Sequence, residues 1–303
     1  MNAPRDELLT LRDWLRWAVS RFTEAGLFFG HGTDNAWDEA VWLLLASLHL
    51  PHERLEPFLD ARLTEHERRL LSHRLDQRIV RRLPTAYIVN EAWLGDCRFY
   101  VDQRVIVPRS YFAELLEDGF APWVAEPAAV GRVLDLCTGS GCLAILLAQV
   151  FPAAQVDAID ISPEALAVAR RNIADYGLED RVRAIESDLF AAVPDTPDAR
   201  YDLIVSNPPY VTAAAMAALP AEYRHEPALA LAAGEDGLDV VRRILRVAAD
   251  HLTPTGCIAI EVGHNRDLVE AAFPQLPLVW LDTAGGPDKV FLIDGAALRA
   301  NPL

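Results

Sequence analysis

The fold class can be inferred from eight consecutive residues, Asp135-Leu136-Cys137-Thr138-Gly139-Ser140-Gly141-Cys142. They stand between a predicted strand at 132–136 and an apolar helical run at 143–150. Glycines let a backbone pass close to a ligand, and the N-terminus of a helix offers N–H groups without partners inside the helix. Asp160 ends the next predicted strand, about where a carboxylate accepts hydrogen bonds from ribose hydroxyls. Together these features predict a nucleoside site in an α/β sheet.

The loop does not by itself decide which nucleoside cofactor is bound. Gly139, Gly141 and Ala144 also satisfy the looser glycine pattern of dinucleotide enzymes, so the loop fits both S-adenosylmethionine and NAD. Further along, Asp188 can accept a hydrogen bond from the adenine amine while Leu189 or Phe190 packs on the purine face. A solvated loop aspartate is nearly as common at such a position.

Beyond residue 120, short apolar runs alternate with helical stretches, which predicts a parallel sheet. Seven runs qualify as strands: 132–136, 155–160, 182–186, 201–206, 256–262, 278–282 and 290–293. Ahead of them we expect a helix at 112–120. An aromatic and β-branched stretch at 92–107, broken by Gly95-Asp96 and Asp102-Gln103, predicts a β-hairpin.

Three amphipathic helices are predicted before residue 85. The first covers 8–22, where apolar side chains recur at three- and four-residue steps. The second begins with Asp34 as its N-cap. The third begins with a capping box of Thr64 and Glu67 and continues to Pro84. These helices predict a small helical domain.

Composition limits the classes of function. A chain of 303 residues is long enough for two domains, and its formal net charge of −16 argues against direct binding of nucleic acid. No apolar run approaches the roughly 20 residues needed to cross a bilayer, and the first residues are acidic where a signal peptide is basic. We therefore expect a cytoplasmic protein without a membrane segment. Four scattered cysteines lack metal-site spacing, so no metal is expected.

The most informative residues for the chemistry are Asn207-Pro208-Pro209-Tyr210, at the end of the predicted fourth strand. Two prolines stiffen this loop, so the side-chain oxygen of Asn207 and the carbonyl oxygen of Pro208 can aim at one point. A planar NH₂ group has two hydrogens to donate there, and the ring of Tyr210 can lie against its flat face. A proline-stiffened turn without a ligand is the alternative, but the nucleoside loop on the same sheet disfavours it.

This loop suits a weak nucleophile, because an amide nitrogen shares its lone pair with its carbonyl group. Hydrogen bonds from N–H to two oxygens raise the electron density on nitrogen, and fixing the amide in line removes an entropic barrier that can reach roughly 7–11 kcal/mol. No charged general base is required. We expect Asn207, Pro208 and Tyr210 to be catalytic, and all four residues including Pro209 to bind substrate.

The complete set expected to bind the cofactor is Asp135, Cys137, Thr138, Gly139, Ser140, Gly141, Asp160, Asp188, Leu189 and Asn207.

With these residues, the sequence resembles the protein-glutamine methyltransferases, whose two main branches modify release factors and a large-subunit ribosomal protein. Two strings are similar to the ribosomal-protein branch, the PrmB type: Phe29-Gly30-His31-Gly32-Thr33-Asp34-Asn35-Ala36-Trp37-Asp38-Glu39-Ala40 and Val105-Ile106-Val107-Pro108-Arg109-Ser110-Tyr111-Phe112. Release-factor enzymes lack the first and carry a Pro-Arg-Pro-Glu-Thr-Glu type segment in place of the second. The glycine loop is also similar, with Cys137 where most methyltransferases have glycine.

The resemblance covers nearly the whole chain. It implies a Rossmann-like methyltransferase sheet of seven strands with a reversed last strand, S-adenosylmethionine as cofactor, and methylation of one glutamine in the ribosomal protein numbered three. We expect a helical substrate-recognition domain at 1–90, a β-hairpin connector at 91–110 and the methyltransferase domain at 111–303. The negative charge further suggests that the ribosomal protein is modified before assembly.

Four other functions compete with this one. Release factors are the substrate of the sister branch, and an exocyclic base amine presents the same two hydrogens as an amide. An NAD-dependent oxidoreductase would need a hydride-site residue that is not evident after the glycine loop. A ribosome-assembly factor could keep the fold without turnover.

Three further features can be structural as easily as functional. His225 is more often a structural or surface histidine than a catalyst, and Glu261 is as easily structural as functional. The arginines between Arg68 and Arg82 most simply give the third helix a solvated face, with an rRNA contact as the alternative.

Overall fold

The computed structural model describes residues 6–303. The chain divides into two compact units. The first contains residues up to Ala92 together with Val101–Gln103 and Leu219–His225. The second contains Trp93–Tyr100, Arg104–Ala218 and Glu226–Leu303. Nothing in the sequence indicated that the short stretch at 219–225 leaves the second unit and packs in the first.

The first unit is helical. Its helices are α1 (Leu11–Glu24), α2 (Ala36–Ser47), α3 (Glu65–Ile79) and α4 (Thr85–Val89). They form because each presents an apolar face to a shared core, which includes Trp14, Phe22, Leu43 and Leu71. The predicted capping box of α3 is confirmed, since Thr64 and Glu67 satisfy each other's backbone N–H groups.

Three expectations for this unit are wrong. The N-cap of α2 is Asn35, whose side-chain oxygen accepts from the N–H of Asp38 at 2.9 Å, and not Asp34. Helix α3 ends at Ile79, short of Pro84. The arginines do not form one solvated face either, because Arg78 is buried with 1% of its surface exposed. Its position follows from partners distant in sequence, which a charge pattern along one helix cannot reveal.

Arg78 lies at the centre of a buried ionic cluster in this unit. Its guanidinium pairs with Glu39, donates to Glu222 Oε1 at 3.2 Å and donates to the carbonyl oxygen of Phe28 at 2.8 Å. Thr85 also donates to Glu39, at 2.7 Å. Burial favours the protonated form of Glu222, but the N–H of Phe28 and the charge of Arg78 outweigh it, so its pKa lies below the ordinary value. This cluster ties the stretch at 219–225 to α2 and α3.

The second unit begins with a hairpin and contains the main sheet. Around the turn at Gly95-Asp96 lie β1 (Ala92–Leu94) and β2 (Cys97–Phe99), a hairpin shorter than the predicted one because residues 101–107 form no strand. The strands of the sheet are β3 (Arg132–Leu136), β4 (Gln155–Asp160), β5 (Val182–Glu186), β6 (Tyr201–Ser206), β7 (Leu252–Glu261), β8 (Val279–Leu281) and β9 (Val290–Asp294).

The sheet has the order β5-β4-β3-β6-β7-β9-β8. Neighbours from β5 to β7 pair in parallel, and β9 runs antiparallel to both β7 and β8. The predicted α/β fold, with seven strands and a reversed last strand, is confirmed. Strand β7 begins at Leu252, four residues before the predicted start at 256.

Alternate residues of the sheet face opposite sides, as the period of a strand requires. Val133 and Val205 belong to one buried core, while Leu134 and Ile204 belong to the other. Helices that accompany these cores are α5 (Phe112–Glu117), α6 (Cys142–Val150), α7 (Pro163–Asp175), α8 (Ala213–Ala218), α9 (Asp239–His251), α10 (Arg266–Ala272) and α11 (Gly295–Ala300). Among residues 6–303, no helix is both long and apolar enough to cross a membrane.

The ionic cluster makes a prediction about stability. Replacing Arg78 with methionine should lower the free energy of unfolding by about 3–5 kcal/mol, because Glu39 would remain buried without its cation. Urea denaturation followed by circular dichroism measures this change. As a control, Arg69→Met removes an exposed i,i+4 pair with Glu65 from the same helix and should change stability by less than about 0.5 kcal/mol. Equal effects of the two substitutions would contradict the prediction.

Candidate active site

A cavity of about 180 Å³ opens in the second unit where β3, β4 and β6 end side by side. Parallel strands bring their carboxyl ends to one edge, and open α/β sheets bind ligands there. Of the residues predicted from the sequence, those that line the cavity are Cys137, Gly139, Asp160, Asp188, Leu189, Asn207 and Pro209. The others, Asp135, Thr138, Ser140, Gly141, Pro208 and Tyr210, are not among its lining residues.

The glycine loop owes its shape to left-handed backbone conformations. Cys137 has φ +62°, a region in which glycine is the usual residue. Gly141 has φ +79°, and a Cβ on it would lie 3.2 Å from the Cα of Ala169 in α7. Glycine at this position therefore lets α6 begin close to α7.

Asp135 braces this loop from inside the protein. It is fully buried, and its Oδ2 accepts from Thr138 Oγ1 at 2.6 Å and from the N–H of Ala144 at 3.0 Å. Burial raises the pKa of Asp135 to about 7 although both hydrogen bonds oppose the shift. Its Oδ1 is buried and has no hydrogen-bond partner among residues 6–303.

Asp160 stands at the rim of the cavity with acceptor capacity left. Its two oxygens accept from the N–H groups of Gly139 and Ser162, each at 2.9 Å. An ionised carboxylate has about four lone-pair sites, so acceptor capacity remains for further donors. Burial raises the pKa of Asp160, and the N–H groups of Ser162, Gly139 and Ile161 oppose this shift.

Asp188 is paired with a residue that the sequence did not single out. Arg243, in α9, donates to Asp188 Oδ2 at 2.7 Å, and both side chains line the cavity. This ion pair engages Oδ2 of Asp188. No local signal could have found this partner, because it lies 55 residues along the chain.

Asn207 is oriented by the segment that precedes α5. Its Nδ2 donates to the carbonyl oxygen of Arg109 at 3.4 Å, which leaves Oδ1 as the acceptor. Arg109 in turn makes a two-pronged ion pair with Glu226, both bonds being 2.6 Å long. Glu226 also accepts from the N–H of Val107 at 2.9 Å. Residues 107–109 are thus held by a carboxylate more than a hundred residues away.

Tyr210 is linked to the glutamate that ends β7. Its hydroxyl donates to Glu261 Oε1 at 3.3 Å, and its backbone oxygen accepts from Asn265 Nδ2 at 2.8 Å. Burial raises the pKa of the Tyr210 hydroxyl, so the phenol stays protonated at neutral pH. Glu261, for which the sequence left both interpretations open, is therefore in direct contact with a predicted site residue.

His225 lies in the first unit and has a structural environment there. Its Nε2 is 2.8 Å from the carbonyl oxygen of Arg81, and its Nδ1 is 3.5 Å from Gln103 Nε2. These contacts fit a structural role for this histidine.

Comparison with known proteins decides the family. Residues 121–222 match the model of the methyltransferase small domain. The chain is 58% identical to the ribosomal protein uL3 glutamine methyltransferase of Bordetella pertussis, over 96% of this chain and 97% of that relative. It is 56% identical to the enzyme of the same name from Neisseria gonorrhoeae, over 96% of each. The chain belongs to the ribosomal protein uL3 glutamine methyltransferase family.

A solved structure with some similarity is the ribosomal protein L11 methylase of Lactobacillus delbrueckii subsp. bulgaricus. It is 22% identical and has a TM-score of 0.42, over 64% of this chain and 82% of that chain.

As a member of the uL3 glutamine methyltransferase family, the chain is an S-adenosylmethionine-dependent methyltransferase. The cavity fits this cofactor. The free acceptor sites of Asp160 match the two hydroxyls of a ribose, and apolar Leu189 and Val240 offer surface to a purine beside Asp188. The predicted roles of the individual residues remain predictions.

We expect Asp160→Asn to raise the dissociation constant of S-adenosylmethionine about 10- to 100-fold, because charge-assisted hydrogen bonds of about 1.5–3 kcal/mol are lost. Isothermal titration calorimetry measures this. Asp202→Asn is the control, since Asp202 ties the N–H groups of Gly131 and Arg132 at the opposite edge of the sheet. An unchanged constant for Asp160→Asn would remove Asp160 from the ribose site.

The same residue gives the expected pH dependence. Protonation turns an acceptor oxygen of Asp160 into a donor, and burial places the pKa of this carboxyl above its ordinary value. Cofactor affinity should therefore fall as the pH drops through that raised pKa, and this fall should be weaker in Asp160→Asn.

Proposed function

We propose that this protein transfers the methyl group of S-adenosylmethionine to the side-chain amide nitrogen of a glutamine in ribosomal protein uL3, in the cytoplasm. The observation that carries the proposal is the sequence identity of 56% and 58%, over 96% of this chain, with two relatives named for this reaction. It is supported by Asn207-Pro208-Pro209-Tyr210, which follows β6 at the carboxyl edge where the cavity opens.

The cofactor supplies a methyl group on a positively charged sulfur, which an uncharged nitrogen can attack. A new N–C bond forms as the C–S bond breaks, and the nitrogen then releases one proton to solvent. Asn207 contributes Oδ1 as one acceptor for the amide hydrogens, because its Nδ2 is turned to the carbonyl of Arg109. Pro208 contributes its carbonyl oxygen as the other. Fixing both hydrogens holds the nitrogen in line and supports its lone pair.

Tyr210 is proposed to cover one face of the glutamine amide. Its ring packs closely against Gly263, since a Cβ on Gly263 would lie 2.7 Å from Tyr210 Cε2. Gly263 has φ +57°, a conformation in which glycine is also the least strained residue. A planar amide against this ring has little freedom to rotate, which favours the attacking orientation.

The main test is methylation of purified uL3 by the purified enzyme, followed by peptide mass spectrometry. We expect an increment of 14 daltons on a glutamine side chain. An increment on release factors instead would favour the sister reaction, and one on rRNA or DNA would favour base methylation. Cofactor binding without any transfer would point to an assembly factor, and binding of NAD to an oxidoreductase.

Asn207→Ala should reduce kcat about 100-fold while cofactor affinity changes less than about twofold, since the lost oxygen acts on the amide at the moment of transfer. Asn301→Ala, which removes only a contact with Ala297 at the end of the chain, is the matched control. Retention of most turnover by Asn207→Ala would exclude the proposed role.

We further propose that free uL3 is methylated in preference to uL3 in assembled subunits. The chain carries a net charge of −16, so exposed rRNA repels it while basic segments of a free ribosomal protein attract it. Burial of Arg78 and the half-buried positions of Arg68, Arg74 and Arg82 weaken the alternative of an arginine face that docks on rRNA.

This preference is measured as the rate of methylation of free uL3, assembly intermediates and mature large subunits at two salt concentrations. Free uL3 should react fastest, and the advantage should shrink at high salt because screening acts over about 8 Å at physiological ionic strength. Equal or faster reaction of mature subunits would contradict the proposal.

A further inference from the structure

Glu261 joins three separate segments of the second unit at the end of β7. It is almost fully buried, with 1% of its surface exposed. Its Oε2 accepts from Ser110 Oγ at 2.6 Å and from the N–H of Tyr111 at 3.1 Å. Its Oε1 accepts from the hydroxyl of Tyr210 at 3.3 Å. One carboxylate thus ties the turn at 109–111 to the loop at 207–210.

The two ends of this connection both reach the amide site. On one side, the Tyr210 ring rests on Gly263 while its hydroxyl reaches Glu261, so the two contacts set the tilt of the ring. On the other side, Arg109 immediately precedes Ser110, and its carbonyl oxygen accepts from Asn207 Nδ2. A shift of the turn would therefore move the partner that orients Asn207.

The turn is also packed tightly from outside. Gly285, in the loop between β8 and β9, leaves room for the Tyr111 ring, since a Cβ there would lie 2.2 Å from Tyr111 Cε1. Burial opposes a charge on Glu261 and raises its pKa to about 7, against the three donors and the charge of Arg109. Ionised Glu261 can accept from all three donors at once.

We propose that Glu261 is a positioning residue for methyl transfer: it fixes the tilt of the Tyr210 ring and, through Ser110 and Tyr111, the Arg109 carbonyl that orients Asn207. It touches neither substrate nor cofactor and acts through these two residues. The inference rests on the proposed function only in taking a glutamine amide as the group that Tyr210 and Asn207 hold.

A double-mutant cycle on uL3 methylation tests the first link. Tyr210→Phe keeps the ring and removes only the hydroxyl, and we expect it to lower kcat/KM for uL3 about tenfold with cofactor affinity unchanged within about twofold. Glu261→Ala should cause at least this loss. In the Glu261→Ala background, Tyr210→Phe should cost less than about threefold, because the acceptor of the hydroxyl is already absent. Additive losses would mean that Glu261 does not act through the hydroxyl, and would overturn this link.

Hydrogen–deuterium exchange tests the connection without any substrate. Glu261→Ala should speed amide exchange both at 109–112 and at 210–211, because alanine cannot accept from the N–H of Tyr111 or from the Tyr210 hydroxyl. Tyr210→Phe should speed exchange near residue 210 alone. The matched control is Asp202→Asn, which loosens a comparable tie to Gly131 and Arg132 and should leave both segments and kcat/KM unchanged.

The outcomes are distinct. Unchanged exchange at 109–112 in Glu261→Ala overturns the proposal whatever the substrate is. If the wild-type enzyme does not methylate uL3, the proposed function fails while the exchange result still decides the role of Glu261. Should Glu261→Ala fail to fold, Tyr210→Phe decides alone: wild-type kcat/KM overturns the proposal, and a tenfold loss at constant cofactor affinity supports it.

Discussion

The active site depends on the parallel pairing of β3 with both of its neighbours. Leu136 stands level with Ile159 of β4 and with Ser206 of β6, so the residues that follow each strand emerge at one edge. Side-chain and backbone bonds reinforce this register. Ser206 Oγ donates to the carbonyl oxygen of Leu136 at 2.9 Å, and the N–H of Thr138 donates to that of Ile159 at 2.9 Å. Because of this register, the glycine loop, Asp160 and Asn207 surround one cavity.

The sequence carries a clear signal for strands that are buried on both faces of the sheet. Strands β3, β4 and β6 are covered on both faces, which demands continuous apolar runs, and their bounds were predicted correctly. Arg78 shows the opposite case. Six arginines near α3 look alike in sequence, and only contacts with residues distant in sequence, among them Glu39 and Glu222, explain why this one is buried. Residues 219–225 pack in the first unit for the same reason, because Glu222 pairs with Arg78.

The residues of the candidate site also form two groups, those that would touch the ligand and those that hold the first group in place. Residues that would touch the ligand lie in short local motifs, because a ligand must be met by a glycine turn, a strand-end carboxylate and a stiff loop at fixed offsets. Residues that hold them carry no such signal. Ser110 meets Glu261 across 151 positions, Arg109 meets Glu226 across 117, and Arg243 meets Asp188 across 55. The partners lie far apart in sequence, so only the folded chain identifies these pairs.

The arrangement of charge bears on how such a site gains rate. During transfer, positive charge passes from sulfur to nitrogen and is not created, so carboxylates nearby act on it before, during and after the step. A field of this kind strengthens binding without lowering the barrier by much, because only interactions that strengthen in the transition state accelerate a reaction. In the proposed mechanism the acceleration therefore comes from groups that respond to the nitrogen alone, namely the neutral oxygens of Asn207 and Pro208. Keeping Glu261 behind Tyr210 is consistent with this division: its charge orients the ring and the turn, while contact with the amide is left to uncharged acceptors.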